Sequence, residues 1–131
     1  MSLKHVLASA ALCATLLPGA GRAAVTEDTF KLQSTADLVE LCSDTPSDAM
    51  STAALNFCHG FTLGVFRVLD EEASAERLHR MFCAPNPGPS RDQAIADFVQ
   101  WAKASPKVMQ ERPADGLVAY LVQTFPCPKG K

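Results

Sequence analysis

The sequence lacks the features that mark the common classes of enzyme and nucleic-acid-binding protein. It has three histidines among its 131 residues, and it contains neither a CxxC nor an HxxxH pair. There is no glycine-rich phosphate loop, so no cofactor is expected. Basic residues number 12 against 14 acidic ones. With no basic patch or arginine-rich arm, nucleic acid is not an expected partner.

The N-terminal 23 residues have the pattern of a cleaved signal peptide. Lys4 lies in a short polar start, and an apolar stretch follows from residue 6 to residue 17. Cleavage after Ala23 suits a signal peptidase, because small residues stand at positions −3 and −1. The stretch is shorter than the roughly 20 residues that span a bilayer. We therefore expect export to the periplasm, one domain at residues 24–131, and no membrane contact after cleavage.

Four cysteines follow the predicted cleavage site: Cys42, Cys58, Cys83 and Cys127. An even number in a small exported domain indicates two disulfides, and four cysteines allow three connectivities. A helical hairpin would bring Cys42, at the end of one predicted helix, near Cys58 at the start of the next. This argument favours the pairing Cys42–Cys58, which leaves Cys83 to pair with Cys127. A zinc site built on Cys58 and His59 is the less favoured alternative, and we assign no metal ligand.

Hydrophobic periodicity predicts an all-α domain, a compact bundle of about four main helices. They are expected over residues 34–42, 52–72, 91–104 and 114–125. Ser34 and Ser90 are the predicted N-caps of the first and third helices, each with an acidic or amide residue three positions later. The helix over 52–72 is apolar over so much of its circumference that we expect it to be central, contacted on several sides.

That helix contains the stretch CHGFTLG, residues 58–64. Gly60 and Gly64 fall on one side of it, although glycine inside a helix costs up to about 1 kcal/mol relative to alanine. Their spacing predicts close helix packing inside the bundle, with a subunit interface as the alternative. His59 follows Cys58, but an oxidised cysteine is no nucleophile and neighbouring helical side chains diverge. We therefore assign no catalytic residue and do not expect an enzyme.

An ordered set of short motifs resembles one known family. The set comprises Leu41–Cys42, CHGFTLG, Cys83–Pro85, Ser105–Pro106 and Phe125–Cys127. Together they resemble the Rap/Tai family, small exported helical immunity proteins against peptidoglycan amidase effectors of type VI secretion systems. Phe61 departs from the pattern, since the family commonly has Tyr there. The resemblance implies a periplasmic, disulfide-linked, often homodimeric all-α protein that works by occluding the cleft of a secreted cell-wall hydrolase.

Two segments are candidate partner-binding surfaces. The first is the stiff, exposed loop over residues 84–90, with Asn86, Pro87, Gly88 and Ser90 as candidates, because its prolines preorganise it. The second is the acidic cluster Asp70, Glu71 and Glu72, which could equally be a solvated helix end. The alternative function is a general periplasmic helper or acid-stress-type chaperone, for which the apolar helix over 52–72 would bind unfolded proteins.

Overall fold

The computed structural model describes residues 24–128, and the predicted signal peptide lies outside them. A 3-10 helix, Glu27–Lys31, precedes the α-helices α1 (Thr35–Ser43), α2 (Ala49–Ser74), α3 (Arg91–Lys103), α4 (Pro106–Met109) and α5 (Pro113–Thr124). No strand occurs within the described range. This confirms the all-α class with four main helices, and α4 adds a single turn in a predicted connector. No helix of residues 24–128 is long and apolar enough to cross a membrane.

Capping side chains set the start of α1 and α2. The Ser34 hydroxyl accepts a hydrogen bond from the Asp37 backbone N–H, and the Asp37 carboxylate accepts one from the Ser34 N–H in return. The helix over 52–72 begins earlier than the sequence pattern predicts, because Asp48 caps α2 by accepting from the Ser51 N–H at 2.8 Å. The Ser51 hydroxyl lies 2.9 Å from the Asp48 backbone nitrogen and completes the reciprocal pair.

The cap of α3 is only half of the predicted box. Ser90 accepts from the Gln93 backbone N–H, as expected. The Gln93 side chain, however, donates to the Asp97 carboxylate one turn further on, at 2.7 Å. In the predicted box the Gln93 side-chain oxygen would turn back to accept from the Ser90 N–H. Here the side chain instead points along the helix, where its amide N–H reaches a charged acceptor. The reciprocal bond expected from the sequence is therefore absent.

The short helix α1, and not the long α2, occupies the centre of the fold. Thr35, Leu38 and Leu41 are fully buried, and α1 packs against all four other helices. The prediction of a central helix over residues 52–72 is wrong. The buried residues of α2 lie along one stripe, at Ser51, Ala54, Cys58 and Thr62. Much of its remaining circumference is uncovered, so the apolar content of α2 exceeds what this fold buries.

Both disulfides have the favoured connectivity. Cys42–Cys58 joins the end of α1 to α2 inside the core, and Cys83–Cys127 joins the loop before α3 to the segment after α5. The helical hairpin argument therefore holds. In a domain of this size such bonds supplement a limited hydrophobic core.

Candidate recognition surface

The loop over residues 84–90 is exposed along its whole length, and the chain at both of its ends is fixed. Before it, the backbone N–H of Cys83 donates to the Phe125 carbonyl at 2.8 Å, beside the Cys83–Cys127 bond. After it, Ser90 caps α3. The peptide bond between Asn86 and Pro87 is cis. The four candidate residues of this loop thus lie on a surface that the scaffold holds in place.

Beneath this loop lies an open groove of about 290 Å³ between α2, α3 and α5. We call it the loop groove. Its walls are Thr62, Leu63 and Phe66 of α2, Arg91, Ala94, Ile95 and Phe98 of α3, Leu117, Tyr120 and Leu121 of α5, with Phe125, and Ala84, Pro85, Gly88 and Pro89 of the loop. Nearly all of these groups are apolar. The volume is at the lower end of the range of small-ligand pockets, roughly 300–1,000 Å³.

Two polar side chains in the walls offer little to an occupant. The Thr62 hydroxyl donates to the Cys58 carbonyl of its own helix at 2.8 Å. The Tyr120 hydroxyl is sealed from solvent and makes no hydrogen bond of good geometry within residues 24–128. Burial, and then the negative charge of Asp97, raises the pKa of Tyr120. Because the hydroxyl is inaccessible, Tyr120 presents ring carbons to the groove.

Arg91 is the charged residue at the rim of the loop groove. It is exposed, and no carboxylate of residues 24–128 lies within 4 Å of its guanidinium. Arg77, Arg80 and Arg112, by contrast, each pair with a carboxylate at 3.0 Å or less. The groove therefore combines an apolar interior with one uncompensated positive charge at its edge.

The predicted packing role of Gly60 and Gly64 inside the bundle is wrong. Both residues are exposed, and a Cβ placed on either meets nothing within 4 Å. They belong to a largely exposed stripe of α2 with Phe57, Phe61 and Val68, which we call the glycine face. The ring of Phe30 covers its N-terminal end, with the centroids of Phe30 and Phe57 5.7 Å apart. Phe57 is 37% exposed and Val68 is 59% exposed. At 100° per residue, this face and the groove-lining residues of α2 lie on nearly opposite sides of the helix.

The acidic cluster at residues 70–72 is largely paired within the chain. Glu72 forms a two-pronged ion pair with Arg77, with contacts of 2.6 and 2.7 Å, and Asp70 pairs with Arg80 at 3.0 Å. The bond to Arg77 lowers the pKa of Glu72. Glu71 is exposed. Two of the three carboxylates thus already have partners, which makes this cluster a weaker candidate than the loop for binding a basic surface.

The structure brings no catalytic or metal-binding group together within residues 24–128. His59 is half-buried, with its Nε2 atom 3.7 Å from an Asp92 carboxylate oxygen. The four cysteines of this range are all in disulfides. No group of three or more His, Cys, Asp or Glu in the same range is placed to hold a metal ion.

The loop groove was not predicted from the sequence. Its apolar walls come from three helices and a loop, and each helical apolar residue looks like an ordinary core position in its own segment. The one local signal was Arg91 directly after a proline-rich loop and before an apolar stripe. Only the tertiary arrangement shows that the apolar positions on either side leave a space between them.

These features define a class: a small, disulfide-linked helical domain whose exposed, scaffold-held surface suits protein binding. The chain belongs to the Rap1a immunity protein family, whose family model, described as Rap1a immunity proteins, matches residues 34–127. This confirms the family resemblance and indicates an immunity protein that binds a secreted effector. Membership implies action by binding and not by catalysis. No curated protein and no solved structure matches the chain.

Proposed function

We propose that this protein protects the periplasm from a type VI secretion effector that cleaves peptidoglycan, a cell-wall amidase, by covering the effector's cleft. Membership of the Rap1a immunity protein family supports the immunity role. The apolar stretch over residues 6–17 and the disulfides, which persist in oxidising compartments, support the location. The observation that carries the proposal is the exposed loop over residues 84–90, fixed at both ends above the loop groove.

A fixed loop suits an inhibitor because binding then orders little of the chain. Flexible loops lose conformational entropy when they bind, and side chains lose about 0.5–1.5 kcal/mol each. Prolines at 85, 87 and 89 restrict the loop before any contact forms. Pre-organised inhibitor complexes of standard size are among the tightest known. We therefore place the centre of the effector contact at this loop.

The loop is tested by the variant Asn86→Arg, with Gln110→Arg as its matched control. Both side chains are exposed, and Gln110 follows α4, beyond the opposite end of α3 from the loop. A bulky cation at the centre of an interface should weaken binding to a purified effector amidase of the same genome at least tenfold. The control should stay within twofold. Calorimetric titration and inhibition of amidase activity measure both.

Equal affinity of Asn86→Arg and wild type would remove the loop from the contact surface. If neither wild type nor variant binds the amidase, and the wild type binds many unfolded proteins, the chaperone alternative is favoured over amidase inhibition. Circular dichroism of each variant separates loss of contact from loss of fold.

We also propose a homodimer that forms through the glycine face. The stripe is apolar, and its two glycines allow a partner helix to approach closely. The rings of Phe57 and Phe61 stack with their centroids 6.4 Å apart, which gives this surface a defined shape. Since the loop groove lies on nearly the opposite side of α2, each copy in such a dimer could still bind an effector.

Gly60→Ala and Gly64→Ala should have opposite effects on the monomer and the dimer. Alanine is the better helix former by about 1 kcal/mol, and the added methyl group would meet no atom within 4 Å beyond the neighbouring backbone of α2. Each variant should therefore unfold at a higher urea concentration when the chain is monomeric. Each should also dissociate more readily in sedimentation experiments. If Gly64→Leu leaves the dimer dissociation constant as little changed as the control Ala114→Leu does, the interface lies elsewhere.

A further inference from the structure

We infer that the loop groove receives one large apolar side chain of the effector, and that a carboxylate beside that side chain pairs with Arg91. This inference rests on the proposed function, since it takes the effector as the occupant. It goes beyond loop contact, because it assigns a cavity of this protein as the receptor for a specific chemical group of its partner. Binding of the pair is then reciprocal: the loop meets the effector's cleft, and the effector fills the groove.

The interior of the groove selects for an apolar occupant. Leu63, Phe66, Ile95 and Phe98 form its sides on α2 and α3. A polar group placed among them would lose its water without gaining a hydrogen bond, which costs several kcal/mol on scales without compensation. The Thr62 hydroxyl already donates to a backbone carbonyl. A buried apolar side chain, by contrast, gains from every contact it makes.

The size and shape of the groove favour a side chain over a large cofactor. A space of about 290 Å³ is small for a cofactor. Binding energy at protein interfaces is concentrated in a few large side chains that enter fully desolvated pockets near the centre of the contact. The loop groove lies directly beneath the loop that we place at this centre.

The rim of the groove selects for negative charge next to the apolar group. The guanidinium of Arg91 has no carboxylate within 4 Å among the described residues and stands at the mouth of an apolar space. Arginine binds carboxylates through two parallel hydrogen bonds, which fixes the orientation of the bound group. A Leu, Met or Phe next to an Asp or Glu in the effector has the complementary chemistry.

The first test uses 1-anilinonaphthalene-8-sulfonate, a fluorescent aromatic with one anionic group, as the probe. The folded protein should bind it with a stoichiometry of one. Ala94→Phe fills the groove from α3 and should weaken binding at least tenfold, whereas Ala96→Phe, exposed on the other side of the same helix, should not. Ala84→Trp fills the groove from the exposed loop and keeps the test valid if Ala94→Phe fails to fold.

The charge at the rim has its own matched pair of variants. Arg91→Gln should weaken binding of the sulfonate probe several-fold and reduce its dependence on salt, because an ion pair is lost. Lys107→Gln, which removes an exposed charge from α4, should change neither. Equal probe binding by wild type, Ala94→Phe and Ala84→Trp would overturn the assignment of the groove.

The second test adds the purified effector amidase. Displacement of the probe by the effector, and at least tenfold weaker effector binding by the groove-filling variants, would support the inference. An effector that binds with full affinity while the probe stays bound would overturn it and leave the proposed function intact. If wild type binds no effector, the proposed function fails. If Ala94→Phe still abolishes probe binding in that case, the groove is a site for a small amphiphilic anion and not for an effector side chain.

Discussion

The Gly116→Ala variant is expected to lose about 3 kcal/mol of unfolding free energy, although alanine is intrinsically the better helix former. A Cβ at Gly116 would lie 2.7 Å from the Cγ2 atom of Thr35, and Thr35 is fully buried. The Thr35 hydroxyl donates to the carbonyls of Glu111 and Arg112 at 3.1 and 3.2 Å. Thr35 cannot move aside without weakening these bonds, which join the starts of α1 and α5.

The loss from overpacking at Gly116 is expected to exceed the gain in helix propensity. Overpacking a well-filled site costs about 1–3 kcal/mol, and each weakened hydrogen bond costs about 1 kcal/mol. The gain in helix propensity is at most about 1 kcal/mol. Urea unfolding of Gly116→Ala beside Gly60→Ala measures the contrast, since only the first substitution meets a buried neighbour. Equal stability of the two variants would show that α5 can shift away from α1 at little cost.

Removing the Cys42–Cys58 disulfide by replacing both cysteines with alanine is expected to cost about 4 kcal/mol. Closing a loop of this length contributes about 3 kcal/mol through the entropy of the unfolded chain. The bond is also part of the core, with Cys58 fully buried and Cys42 8% exposed. Loss of the packed sulfur atoms adds roughly 1 kcal/mol. The measurement is the midpoint and slope of urea unfolding, compared with the wild-type protein.

The Cys83–Cys127 bond provides the comparison. Its loop is longer, with a sequence separation of 44 against 16. Loop entropy alone then gives about 4 kcal/mol. Both of its cysteines are half-buried, so little packing is lost. We expect similar losses of stability from the two double variants, but only loss of Cys83–Cys127 should also weaken effector binding, because it frees the loop over residues 84–90. Equal affinities in the two variants would contradict this.

Much of the fold could be predicted because its signals are local. The N-caps Ser34 and Ser90 satisfy backbone groups within one turn, and the helices follow from short-range periodicity. The early start of α2 at Ala49 was missed because Pro46 suggested a longer connector, whereas Asp48 and Ser51 cap each other just after it. The disulfide pairing followed from the order of the helices.

The arrangement of the helices was harder to predict because it depends on which apolar surface is covered. The apolar circumference of α2 suggested a central helix, but the rest of the chain covers only part of the apolar surface of α2. The short α1 takes the centre instead, since nearly every turn of it contributes a fully buried side chain such as Leu38 or Leu41. For the same reason Gly60 and Gly64 were assigned to packing inside the bundle. A sequence pattern does not distinguish a face covered by the chain from an uncovered one.

The order of the disulfides along the chain bears on resistance to proteolysis. The bond between Cys83 and Cys127 encloses the loop over residues 84–90 together with α3, α4 and α5 in one covalent ring. Exposed loops are preferred cleavage sites. A single cut anywhere in that ring, including the loop itself, leaves two pieces that the disulfide still joins. A nicked protein therefore keeps both sides of the cut and all walls of the loop groove on one covalently connected molecule.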